Sequence, residues 1–137
     1  MEQSQTNFRL SCCRLVNGEV IKKPHVLVPV DDVVLIDTVD LSKYDRRLRI
    51  RTIDEEYVFN MSGSLAAMED MLSDFGFWRT DTKNLINMRH VDRVIHSMFA
   101  AEAVFKNTEI RGTVAKIKLN LLKEAFPEIP VLRGGLL

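Results

Sequence analysis

A run of polar and basic side chains between two apolar pairs is the part of this sequence best suited to hold a ligand. Six consecutive polar residues, Arg79 to Asn84, follow Phe77-Trp78 and precede Leu85-Ile86. Their guanidinium, ammonium, hydroxyl and amide groups supply charge and hydrogen bonds to a polar partner. The apolar pairs would hold both ends of the segment in the core. We therefore predict an exposed loop at 79–84 that carries a binding site.

Two further groups of basic side chains occur elsewhere in the chain. Arginines alternate with apolar residues along 46–51, a pattern typical of a half-buried strand with an arginine face. Two lysines begin the last apolar helical pattern. The members of these groups are Arg46, Arg47, Arg49 and Arg51, and Lys116 and Lys118. Each group could instead be the solvated side of a sheet or helix, so the two interpretations stay open at this point.

Patterns for other kinds of site are missing from the sequence. The six glycines form neither a GxGxxG motif nor a Walker loop. The three histidines have no metal-ligand spacing with the adjacent Cys12 and Cys13. The carboxylate clusters Asp31-Asp32 and Asp54-Glu55-Glu56 fall at predicted turns, where solvated acids are expected more often than an acid–base pair. We predict no enzyme activity, no catalytic residue, no metal site and no cofactor.

Length and composition indicate a single globular domain. The chain has 137 residues, of which 46% are hydrophobic and 28% charged. Its apolar runs are far shorter than the roughly 20 residues that span a bilayer. The first residues lack the basic and apolar regions of a signal peptide, and two adjacent cysteines are typical of a reducing compartment. We predict a cytoplasmic protein without membrane insertion.

Charge is balanced overall but unevenly distributed. There are 19 basic and 19 acidic residues. Residues 1–76 hold 9 basic and 13 acidic side chains, whereas residues 77–124 hold 9 basic and 5 acidic ones. This difference allows a basic face on a neutral protein, which contact with phosphates requires. Halves of ordinary domains often differ by this much, so the signal is weak alone.

The order of predicted elements is strands, helix, loop, strands, helix. A helix is predicted from about Ser64 to Phe75, with Gly76 ending it, and a second from about Ala115 to Phe126. Residues 37–45 are predicted as a polar loop, and Met98-Phe99 as part of a strand that begins at Val91. Because strands and helices do not alternate, we expect an antiparallel, mainly β fold.

Several segments, in this order, resemble the LytTR DNA-binding domain of bacterial transcription regulators of the LytR/AlgR type. The matching segments are Asp32 to Asp37, Arg47 to Thr52, Tyr57, Ser64 to Glu69, Phe77-Trp78-Arg79 and Leu85-Ile86-Asn87. The resemblance covers roughly residues 20–126. It implies a mainly β, LytTR-like elongated stack of small antiparallel β-sheets with one mid-chain helix and a C-terminal helix. The expected division is an N-terminal extension with a strand (1–20), the domain (21–126) and a C-terminal tail (127–137).

The resemblance also implies a function. Members of this family regulate transcription by binding double-stranded DNA, commonly as homodimers on paired repeats, through loops inserted in the major groove. Carried onto this sequence, the first contacting loop lies at Arg46 and Arg47, and the third near Lys116 and Lys118. The second is the 79–84 segment, in which the expected contacts are Arg79, Thr82, Lys83 and Asn84.

The sequence departs from the family pattern in these loops. Asp81, Thr82 and Lys83 occupy positions where the family has a histidine, a basic residue and a serine, and Ala115-Lys116 replaces serine-arginine. A carboxylate facing phosphate is repulsive, so an alternative is a LytTR-like protein-interaction module that has lost DNA binding and modulates a related regulator. Many members of the family carry an N-terminal receiver domain that is phosphorylated, and residues 1–20 are too few to form one. We therefore expect the regulatory signal to come from a partner protein, a ligand or the abundance of the protein itself.

Overall fold

A computed structural model describes residues 7–134, which form eleven strands and two α-helices. The strands are β1 (Arg9–Val16), β2 (Glu19–Pro29), β3 (Val33–Ser42), β4 (Asp45–Thr52), β5 (Glu56–Phe59), β6 (Phe77–Asp81), β7 (Asn84–Asn87), β8 (Val91–His96), β9 (Ala101–Phe105), β10 (Arg111–Val114) and β11 (Val131–Arg133). The helices are α1 (Leu65–Leu72) and α2 (Leu119–Ala125). Short 3-10 turns occupy Val30–Asp32, Ser73–Phe75, Met88–His90 and Lys116–Lys118.

The strands form two sheets. Sheet A has seven strands in the order β2-β1-β5-β4-β3-β7-β6, and sheet B has four in the order β10-β9-β8-β11. Neighbouring strands are antiparallel except β8 and β11, which are parallel. The prediction of a mainly β, antiparallel fold with a mid-chain and a C-terminal helix is confirmed.

Strands at both ends of the described chain belong to these sheets. In sheet A, β1 pairs with both β2 and β5, and in sheet B, β11 pairs with β8. Of the predicted N-terminal extension and C-terminal tail, residues 1–6 and 135–137 lie outside the described residues. The described parts of both segments therefore contribute strands.

The apolar run at the start of β3 is buried on both faces of sheet A. Val33 and Ile36 belong to one core cluster, which also takes in the buried side of α1. Val34 and Leu35 belong to a second cluster, which lies between sheet A and sheet B and includes Leu122 of α2. Burial on both faces explains why this run is continuously apolar instead of alternating.

Local signals in the sequence account for the ends of α1 and for the first hairpin. The Ser64 side chain accepts a hydrogen bond from the Ala67 N–H at 3.1 Å, as an N-cap residue does. Gly76 follows the helix and its 3-10 turn with a φ of +91°, a left-handed value that glycine adopts without strain. Asn17 and Gly18 also have positive φ, as the two-residue turn between β1 and β2 requires.

The prediction of a loop at residues 37–45 is wrong, because β3 continues through most of this segment. Polar residues there face arginines on β4: Asp37 lies 2.6 Å from Arg49, and Asp40 lies 2.8 Å from Arg46. Opposite charges paired across neighbouring strands stabilise a sheet, so the polar composition does not end the strand. The strand predicted to reach Phe99 is likewise too long, since β8 ends at His96.

The strand register places two hairpin turns at the same end of sheet A. Ile36 of β3 lies opposite both Ile50 of β4 and Leu85 of β7. Because both neighbours are antiparallel to β3, the β3–β4 turn and the β6–β7 turn point toward the same end of sheet A. Among the described residues, neither helix is long and apolar enough to cross a membrane.

Candidate functional site

The polar segment 79–84 forms a β-hairpin, so its prediction as a loop is wrong. β6 ends at Asp81, β7 begins at Asn84, and only Thr82 and Lys83 form the turn. The Asp81 carboxylate accepts a hydrogen bond from the Lys83 backbone N–H at 3.1 Å. Thr82 and Lys83 are exposed. Asp81 therefore shapes the turn through its side chain, a common use of aspartate in tight turns.

Asn84 lies inside the protein at the junction of the two sheets, and only 4% of it is exposed. Its amide nitrogen donates to the Thr80 hydroxyl at 3.0 Å and to the Thr113 carbonyl at 3.1 Å. Its amide oxygen accepts from the Thr113 N–H at 2.8 Å. The hydroxyl of Thr80, which is fully buried, also donates to the Thr113 carbonyl at 2.7 Å. The prediction that Asn84 is exposed is wrong, and its contact with DNA stays a prediction.

The same junction holds the Lys116–Lys118 turn beside the hairpin. The Ala115 N–H donates to the Thr80 carbonyl at 2.8 Å, which continues the contact between β10 and β6 into the turn. The Lys118 ammonium donates to the Arg79 carbonyl at 2.6 Å. The Lys116 ammonium donates to the Ser97 carbonyl, in the turn between β8 and β9. Three turns that are distant in sequence are thereby fixed side by side.

Arg79 lies beneath the hairpin turn, with its side chain only 26% exposed. Its guanidinium donates to the Thr82 carbonyl at 3.3 Å and lies 4.0 Å from the Glu69 carboxylate of α1. Its Nε atom is buried and has no hydrogen-bond partner within residues 7–134. Arg79 therefore stabilises the turn through its bond to the Thr82 carbonyl and adds positive charge next to the turn.

Arg46 and Arg47 lie on a two-stranded ribbon formed by the ends of β3 and β4. The paired residues of neighbouring strands end at Leu85 on β7 and Val58 on β5, whereas β3 and β4 stay paired to Ser42 and Asp45. If the register of β3 with β7 is continued along β3, the β3–β4 turn lies about five residues further out than the β6–β7 turn. At the rise of a β-strand this is a distance of roughly 16 Å.

Both ribbon arginines form ion pairs within the chain. Arg46 lies 2.8 Å from Asp40, and Arg47 lies 2.9 Å from Asp45. The hydrogen bond from Arg46 lowers the pKa of the Asp40 carboxyl. Because these pairs are exposed to water, they are weak enough for another anion to replace the carboxylate.

The predicted site residues therefore fall into three groups. Arg79, Thr82, Lys83, Lys116 and Lys118 form one cluster at the junction of the sheets. Arg46 and Arg47 lie at the same end of sheet A, on the ribbon. Asn84 is buried. We call the surface formed by the turns at 43–44, 82–83, 97–100 and 116–118 the basic end; it also carries Asp40, Asp45 and Asp81.

One exposed part of the basic end was not predicted from the sequence. Met98 and Phe99, which were predicted to lie in a strand, form the tip of the turn between β8 and β9 and are 76% and 86% exposed. Ile117, in the neighbouring turn, is 87% exposed. The only local signal is Ser97, whose hydroxyl accepts a hydrogen bond from the Phe99 N–H at 3.3 Å, as serine does in turns.

No group of three or more His, Cys, Asp or Glu side chains within residues 7–134 is arranged to hold a metal ion. The arrangement at the basic end offers positive charge, hydroxyl groups and exposed apolar side chains instead. These groups suit a large anionic partner.

Comparison with known proteins identifies the family. Residues 23–127 match the LytTr DNA-binding domain family. A solved structure of a LytTr DNA-binding domain from Bacillus cereus superposes with a TM-score of 0.62 at 16% sequence identity, over 83% of this chain and 94% of that one. A comparison with curated proteins finds no match. Because the family match spans most of its length, the chain belongs to the LytTR DNA-binding domain family.

Proposed function

We propose that this protein is a transcription regulator that binds duplex DNA through the basic end, as a homodimer in a bacterial cytoplasm. The observation that carries the proposal is the buried network of Thr80, Asn84 and Thr113, which fixes two lysine-bearing turns next to each other. Preorganised cations lose little conformational freedom on binding, so they bind the regularly spaced phosphates of a duplex effectively. Membership of a DNA-binding family supports the same assignment.

The shape of the basic end supports contact in the major groove. The β3–β4 ribbon reaches past its neighbouring strands, and the major groove of B-DNA admits a two-stranded ribbon. Arg46 and Arg47 exchange their carboxylate partners for phosphate or guanine in this arrangement. Thr82 and Lys83 at the hairpin turn, with Lys116 and Lys118 beside it, contact the backbone and base edges next to the ribbon.

Asp81 does not prevent this function, because its carboxylate is engaged with the backbone of its own turn. The alternative is a protein-interaction module without DNA binding. It is favoured by the internal hydrogen bonds of Lys116 and Lys118, which occupy ammonium groups that would otherwise contact phosphates. Each ammonium has three donors, so one internal bond leaves two for a second partner.

A selection from a random duplex pool tests the proposal. The wild-type protein is expected to enrich two half-sites about one helical turn apart, the spacing expected for a dimer on one face of DNA. Lys83→Ala combined with Lys116→Ala should weaken binding to the enriched duplex. The slope of log affinity against log salt concentration should also become less steep, by the amount expected for the loss of about two phosphate contacts.

A second pair of exposed lysines serves as the matched control. Lys22 lies on β2, and Lys106 follows β9 at the end of sheet B opposite the basic end. Lys22→Ala combined with Lys106→Ala removes the same charge and should leave affinity for the selected duplex nearly unchanged. Absence of any enriched sequence with wild-type protein would contradict the proposal and favour the protein-interaction alternative.

A further inference from the structure

The turn between β8 and β9 combines exposed apolar side chains with surrounding positive charge. The Ser97 N–H donates to the Ala100 carbonyl at 2.8 Å, which closes a tight turn with Met98 and Phe99 at its tip. Both side chains project from a defined backbone and bury little of their surface against the protein. Large apolar side chains held in this way at the surface are a common mark of a contact site.

Basic side chains flank this turn on two sides. On one side, the Lys116 ammonium reaches the Ser97 carbonyl. On the other, Arg133 of β11 lies opposite His96 at the end of β8, and the Gly134 N–H donates to the His96 carbonyl at 2.7 Å. The pKa of His96 is lowered, most of all by partial desolvation. The positive charges of Lys116, Lys123 and Arg133 lower it further.

The charge around the apolar tip decides which partner fits. An apolar tip between lysine and arginine suits a partner that presents anionic groups on either side of an apolar surface. Duplex DNA does so, because the thymine methyl groups lie in the major groove between two rows of phosphates. A second copy of this chain would have to bring its own positive charges against those at the basic end.

We propose that the Ser97–Ala100 turn is a further DNA-contacting element, in which Met98 and Phe99 contact thymine methyl groups while Lys116 and Arg133 hold the adjacent phosphates. This inference rests on the proposed function. It adds a turn and a C-terminal strand to the interface, and Arg133 lies beyond the matched family region of residues 23–127. It also assigns base discrimination to side chains without hydrogen-bonding groups.

The test uses the full chain and the duplex that the wild-type protein selects. Met98→Ser combined with Phe99→Ser should lower affinity for that duplex about tenfold, similar to the effect of one mismatched base pair. The salt dependence should not change, since no charge is removed. Both positions are exposed, so the thermal midpoint should stay the same.

Replacing single thymidines of the duplex by deoxyuridine removes one methyl group at a time. Wild-type protein should lose affinity at one or more of these positions, and the Met98→Ser/Phe99→Ser variant should not distinguish the two bases there. Separately, Arg133→Ala should reduce the salt slope by about one phosphate contact. Arg111→Ala is the matched control, because Arg111 lies at the end of β10 that is remote from the Ser97–Ala100 turn.

The possible failures are distinguishable. If wild-type protein binds a selected duplex and the double variant binds it equally well, the inference is wrong and the proposed function stands. If the double variant no longer sediments as a dimer but keeps its DNA affinity, the turn contacts protein, which also overturns the inference. If wild-type protein enriches no duplex, the proposed function fails together with the inference.

Discussion

Replacing Asn84 by alanine tests whether this side chain supports the interface or contacts the ligand. The change removes three hydrogen bonds, two donated to Thr80 and Thr113 and one accepted from the Thr113 N–H. Each intramolecular hydrogen bond contributes about 0.5–1.5 kcal/mol net. The Thr113 side chain is exposed, so water can reach part of the vacated site. Three such bonds would contribute roughly 1.5–4.5 kcal/mol, and we therefore expect a loss near the lower end, about 2 kcal/mol in the free energy of unfolding.

Urea denaturation measures this loss. With an m-value near 2 kcal/mol/M, the midpoint should fall by about 1 M. Asn120→Ala, on the exposed side of α2, is the matched control and should change stability by less than about 0.5 kcal/mol. In a double-mutant cycle with Thr80→Val, the two changes should couple by at least about 0.5 kcal/mol, because Asn84 donates directly to Thr80.

The opposite pattern would refute the structural role of Asn84. If Asn84→Ala lost DNA affinity while its urea midpoint matched that of the wild-type protein, the side chain would have to contact DNA directly. Such a result would require the hairpin to open at Asn84 on binding, since the residue is buried in the free protein.

Three further substitutions or modifications probe other parts of the structure. Gly112→Ala should destabilise the protein by about 1–2 kcal/mol in urea denaturation, because its Cβ would lie 2.5 Å from Ile86 Cδ1 in a filled core; an unchanged midpoint would contradict this packing. Burial raises the pKa of the Cys12 thiol to about 12, so in a Cys13→Ser background iodoacetamide should modify Cys12 at pH 8 only after unfolding, and rapid native labelling would refute the assignment. Asp40→Asn should raise DNA affinity at least about twofold by releasing Arg46, whereas the equal charge change Asp54→Asn, at the other end of β4, should have little effect; equal responses would indicate a general charge effect.

Elements with local signals could be predicted from the sequence. The α1 helix follows from the spacing of Leu65, Met68 and Leu72, together with a serine cap and a glycine after its end. The continuous apolar run of β3 correctly indicated a strand buried on both faces. In each case the necessary information lies within about a dozen residues.

Elements that depend on distant partners could not be predicted. The polar hairpin at 79–84 is a strand pair because Thr80 and Asn84 bond to Thr113, about thirty positions further along the chain. Polar composition without that knowledge indicates a loop. The exposure of Met98 and Phe99 was missed for a related reason, since apolar residues that follow a strand usually continue into the core. The burial of Asn84 was not predicted either, because it depends on the same contact with Thr113.

The edges of the sheets affect how this protein can associate. An exposed edge strand offers unpaired backbone groups to other chains and promotes aggregation. On sheet A, the β6 edge meets the end of β10 through the bond between Ala115 and Thr80. The opposite edge strand, β2, carries exposed Lys22, Lys23 and Pro24, which discourage the addition of another strand. Two copies of the chain are therefore not expected to associate by strand pairing at either edge of sheet A.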